Sequence, residues 1–79
     1  MPTIMRVKGY RFFFFSNEGL EPPHVHVEAA GKYAKFWLKP ISLARNSGFK
    51  AHELNDIDKI IKEHQSAMEE EWHEFFSRS

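Results

Sequence analysis

Residues 24–39 read HVHVEAAGKYAKFWLK, and their alternation decides the fold. Apolar and polar side chains change places at each step from His24 to Ala29, and Lys32 to Lys39 alternates more loosely, with Ala34, Phe36 and Leu38 on one side and Tyr33, Lys35 and Trp37 on the other. That two-residue period is the signature of a strand, and Ala30-Gly31 between the runs reads as a hairpin turn. A symmetric loop of two or four residues gives a single register. Val25 then faces Phe36 and Val27 faces Ala34 on one side. His24 faces Trp37, His26 faces Lys35 and Glu28 faces Tyr33 on the other. A slip of one residue would exchange the faces of one strand relative to its partner. The register therefore predicts that Val25, Val27 and Phe36 are buried together, while His24, His26 and Lys35 share the opposite face.

Outward from the hairpin, Ile4 to Val7 opens a strand, with Gly9 as a bend or bulge. Tyr10 to Phe15 is aromatic on both faces and reads as an internal strand. Asn17 to Pro23, with Asn, Gly and two prolines, is a loop. On the other side Pro40 ends the strand, Ile41 and Leu43 suggest a short edge strand, and Asn46-Ser47-Gly48 reads as a turn. The expectation is an antiparallel sheet of three to four strands.

From about Lys50 the period becomes helical. Leu54, Ile57, Ile61, His64, Met68, Trp72 and Phe75 recur at spacings of three or four, and Ile60 and Phe76 widen the stripe. Phe49 and Leu54 stand at the positions of a hydrophobic staple, and Glu53 at the third position of a capping box. Residues 50 to 76 in one rod would span about 40 Å, against a radius of gyration of about 12 Å for a compact chain of this length. The long helix therefore bends near Gln65-Ser66, or its Trp72-Phe75-Phe76 end needs a second chain to cover it. The fold class is α+β: one domain over residues 1–79, a small antiparallel sheet packed against a long C-terminal amphipathic helix.

Composition narrows the function classes. The 79 residues hold no cysteine and eight Phe, so disulfides and thiolate metal sites are excluded and aromatics must supply the core. No apolar stretch of signal-peptide or membrane-spanning length is present, which predicts a cytoplasmic protein with no membrane contact. Formal charge is zero, but residues 1–49 carry seven Lys and Arg against three acids, and residues 50–79 four against eight. A basic sheet and an acidic helix can attract each other, or present a basic binding face opposite an acidic one.

The stretches YRFFFFSNE, EPPHVHVE and GKYAKFWLKPISLARNSGF, after an opening MPTI and before a helix ending WHEFF, resemble the bacterial domain of unknown function numbered 4160. The resemblance covers nearly the whole chain, and PPHVHV followed by KFWL is its most distinctive part. Genes of that family often sit beside a small gene of the domain-of-unknown-function family 2442. Such pairs are interpreted as type II toxin–antitoxin modules with this family as the toxin. The resemblance thus implies a toxin-like protein neutralised by a small antitoxin-like partner of family 2442, and supplies no chemistry of its own.

The residues themselves offer several chemistries. His24, His26 and Glu28 lie at i, i+2 and i+4 on one side of a strand, with Lys35 across from His26. Histidines exchange protons near neutral pH and a lysine holds a phosphate, so His24, His26, Glu28 and Lys35 are candidate catalytic residues for a ribonuclease that needs no metal or other cofactor. Arg11, Tyr33 and Trp37 are candidate nucleic-acid contacts, a cation and two stacking platforms. The set His24-His26-Glu28 is also a possible facial metal triad, though a weakly specified one. A non-catalytic protein- or nucleic-acid-binding module, which pairs with a small partner protein and regulates its operon, or a plain solvated strand face, explains the same alternation. His64 reads as a half-buried core residue, and His52 and His73 as solvated. Met68, Trp72, Phe75 and Phe76 are core residues of the stripe or, if the helix projects, an interface for a second copy or for the antitoxin-like partner.

Overall fold

The structure is a computed structural model and describes residues 3–15 and 19–77. Asn17 and Glu18, at the start of the expected loop, lie outside the described residues. Strands β1 (Thr3–Val7), β2 (Tyr10–Phe13), β3 (His24–Ala29), β4 (Lys32–Leu38) and β5 (Ile41–Ser47) precede helices α1 (Ala51–Glu63) and α2 (Gln65–Ser77). The strands form one antiparallel meander in the order β1-β2-β3-β4-β5. The α+β class stands, but the described residues form five strands rather than three to four, and two helices rather than one.

The β3–β4 register is the one that the alternation specifies, from His24 opposite Trp37 to Glu28 opposite Tyr33. Two of the three two-residue hairpins, β1–β2 and β3–β4, turn through residues with positive φ: Lys8 (51°) and Gly9 (83°), then Ala30 (49°) and Gly31 (78°). Paired positive φ angles match the right-handed twist of the flanking strands. Gly31 adopts its angle freely, whereas the Cβ of Ala30 crowds the backbone there. Asn tolerates this conformation better than Ala. Ala30→Asn is therefore expected to stabilise the domain by about 0.5–1 kcal/mol, read as a raised urea midpoint with an unchanged slope.

The edge strand is longer than its sequence suggests. β5 runs through Asn46 and Ser47, where a turn was expected. The Asn46 side chain donates to the Phe49 carbonyl (3.0 Å) and accepts from the Phe49 N–H (3.1 Å), so the chain reverses one step later, at Gly48 with φ 101°. Lys35 faces Arg45 while Phe36 faces Leu43, which leaves Ala44 as the extra residue of a bulge.

α1 starts with Lys50 as its cap. Glu53 accepts from the Lys50 N–H (2.9 Å) and from the Lys32 ammonium (2.7 Å), completing the carboxylate half of the capping box and tying helix to sheet. Those two bonds hold the Glu53 carboxyl below the usual carboxylate range. The expected bend is a break at His64, whose φ of −116° leaves the helical region and whose N–H is shared between the Ile60 and Ile61 carbonyls at 3.1 Å. The Gln65 side chain donates to the Leu38 carbonyl at the end of β4 (2.6 Å), turning α2 back over the sheet. With the rod folded in this way, the longest extent of the domain is 37 Å and its radius of gyration 11.7 Å.

One sheet face and the helical stripe make the core. Phe12, Phe14, Val25, Val27, Ala34, Phe36 and Leu38 pack against Phe49, Ile57, Ile60, Ile61, Met68 and Trp72. Met68 and Trp72 are thus part of the chain's own core, and of the four candidate interface residues only Phe75 and Phe76 remain half-buried. Among the described residues no helix is long and apolar enough to cross a membrane.

Candidate functional site

The face of the sheet turned away from the core is organised in rows that cross the strands. One row runs Arg6, Arg11, Glu28, Tyr33, Ser47 from β1 to β5. The next runs Thr3, Phe13, His26, Lys35, Arg45, and beyond it lie His24, Trp37 and Ser42. The register thus brings together all four candidate catalytic residues and all three candidate nucleic-acid contacts. Arg11, whose face the sequence leaves open, falls on this side.

Burial changes their meaning. An alternating strand predicts a solvated second face, yet His24 is 0% and His26 2% exposed, beside Phe13 at 2%. His26 stacks on Phe13 (centroids 5.4 Å, 26°) and on Tyr33 (5.7 Å, 23°), and Phe15 meets it edge-on at 4.5 Å. Its Nδ1 is 2.7 Å from the Tyr33 hydroxyl. His24 is packed by Trp37, His26 and Trp72, which reaches around the strand ends, and its Nδ1 lies 2.9 Å from the Pro22 carbonyl. The two rings form a second, smaller aromatic core. His64 sits half-buried at the helix break, and His52 and His73 are exposed.

Charges surround this aromatic centre. Arg11 lies over Phe13 at 4.4 Å, donates to Thr3 Oγ1 (2.8 Å) and pairs with Glu28 (2.6 Å). Lys35 lies over Trp37 at 4.6 Å and pairs with Glu21 (2.8 Å). Stacking a cation on an aromatic face is favourable and keeps the charge close to the sheet. Glu28 is committed to Arg11, and among the described residues no three His, Cys, Asp or Glu side chains converge on a site for a metal ion.

Two open depressions share Tyr33. The first, of about 680 Å³, includes Thr3, Arg6, Arg11 and Glu28; the second, of about 360 Å³, has Phe15, His26, Lys35, Trp37 and Arg45 in its lining. Arg6, Arg45, Phe15 and Glu21 are the residues that sequence reasoning missed. Arg6 and Phe15 follow once the period of β3 is carried through β2 and β1. Arg45 does not, because in an unbulged hairpin it would face Ala34 on the core side.

A family model described as Domain of unknown function (DUF4160) matches residues 9–73. The chain belongs to that family. No curated protein and no solved structure matches it. The DUF4160 match contains Arg11, Tyr33, Lys35, Trp37 and Arg45 of the charged face, whereas Arg6, Phe75 and Phe76 lie outside it. At the far end of α2 the DUF4160 chain has an apolar patch. A methyl group on Gly19 would lie 2.8 Å from Cδ1 of Phe76, and Leu20 next to it is fully exposed.

Proposed function

We propose that this chain is the toxin-like half of a two-protein module, and that it acts by holding single-stranded RNA on the sheet face turned away from the helices rather than by cleaving it. The pairing rests on family resemblance. The observation that favours binding is the near-complete burial of both histidines in aromatic packing, His26 reaching the smaller depression with only 2% of its surface exposed, while cations and half-exposed rings occupy the surface around them. A general acid or base must come within hydrogen-bonding reach of its substrate. His26 instead lies against the Tyr33 hydroxyl, and His24 against a backbone carbonyl. A cationic groove with aromatic platforms suits a flexible, unpaired strand, since stacking and phosphate contacts need no particular sequence.

We assign the antitoxin-like partner of family 2442 to the Leu20, Phe75 and Phe76 end, where apolar surface remains uncovered. Expression of the chain alone in a bacterial cytosol is expected to arrest growth, with relief on co-expression of the neighbouring gene and with bulk RNA intact. Rapid RNA decay on induction would make it a nuclease, and unimpeded growth at full expression would remove the toxin reading.

A further inference from the structure

Two pairs of like charges face each other directly across strands on the charged face: Arg6 opposite Arg11, and Lys35 opposite Arg45. Directly opposed cations weaken a sheet. Here they occur twice on one surface, and each pair is served by one carboxylate, Glu28 at Arg11 and Glu21 at Lys35. The two units are built alike. In each, the inner cation lies over a ring and is mostly covered (17% exposed for the Arg11 side chain, 18% for Lys35), while its carboxylate is about half exposed (49% and 44%). The outer cations, Arg6 and Arg45, are exposed, and among the described residues neither takes part in an ion pair.

We infer that these units are two phosphate subsites for one nucleic-acid strand, and that Glu28 and Glu21 stand where its phosphates bind and are displaced by them. The inference rests on the reading that this face holds single-stranded RNA. A phosphate between Arg6 and Arg11, or between Lys35 and Arg45, relieves the cross-strand repulsion and gains charge-assisted bonds from both cations. The inner cations stand two strands and one row apart, about 12 Å, so an oligonucleotide bridges the units and a single phosphate does not. Tyr33 joins the two depressions, and the ring of Trp37 lies beyond Lys35 in the second of them.

The test is binding of a fluorescein-labelled single-stranded RNA of mixed sequence to the full chain across a salt series. Four phosphate-facing cations predict a slope of about −3 in log affinity against log salt, at about −0.7 each. Arg6→Ala with Arg45→Ala, two exposed positions away from the core, should flatten that slope by about 1.4. Glu21→Gln and Glu28→Gln should each raise affinity about two- to fivefold at low salt, the worth of the exposed pair that no longer has to break. A wild type that binds RNA with no change of slope in the arginine variant, or with unchanged or weaker binding in the glutamine variants, overturns the subsites and leaves RNA binding in place. Absence of any RNA binding by the wild type overturns the RNA reading itself. Loss of the antitoxin-like partner's binding in Arg6→Ala/Arg45→Ala, with no RNA binding in its absence, would reassign the face to a protein contact.

Discussion

Trp72→Ala is expected to lower stability by about 3–5 kcal/mol. The indole is 4% exposed and meets Phe14 at 5.2 Å, His24 at 4.7 Å and Phe76 at 4.2 Å between ring centroids. It therefore joins the helix-side core to the histidine cluster on the other face. A domain of this size has only about 5–15 kcal/mol in total, so the loss is a large fraction of the whole and should appear as a markedly lowered unfolding midpoint. Circular dichroism during urea titration checks this. A folded variant that had merely lost contact with a partner would make Trp72 an interface residue, and would mean that the bend at His64 does not bring α2 onto the sheet.

His26→Ala is expected to cost about 2–3 kcal/mol, since it empties a stack of two rings and removes a buried partner of the Tyr33 hydroxyl. That corresponds to a fall in Tm of roughly 10–20 °C. His26→Phe separates packing from chemistry, because it keeps a flat ring between Phe13 and Tyr33 while removing both ring nitrogens. It should lose less stability than the alanine variant and keep growth arrest and RNA affinity per folded molecule. Abolished arrest in a well-folded His26→Phe, with wild-type RNA affinity, would return His26 to a catalytic role. A loss of about 10²- to 10⁴-fold in a measured cleavage rate would carry the same meaning.

The α+β class and the β3–β4 register were legible in the residues because both rest on periodicity. Val25, Val27, Ala34 and Phe36 share a face only in pairings that differ by an even number of residues, the Ala30-Gly31 turn selects one of these, and the side chains between them must then share the opposite face. The helical stripe was legible for the same reason, and the misfit between its length and a compact domain required a bend or a cover. Tertiary structure decided between them through one long-range bond, Gln65 to the Leu38 carbonyl, together with the non-helical φ of His64.

Burial on the second face was not legible. A period of two says which residues share a side, and nothing about what covers it. The covering of His24 and His26 comes from Phe13, Phe15, Tyr33, Trp37 and the far-off Trp72, and so depends on strand order and on the path of α2. Arg45 makes the same point about a single residue. Alternation alone would turn it towards the core side, but the bulge at Ala44 rotates the strand by one position and sets its charge beside Lys35. The sequence by itself determined which side chains lie on a common face. Only the packed sheet decided which of them stay in contact with water, because that depends on contacts between residues far apart in the chain.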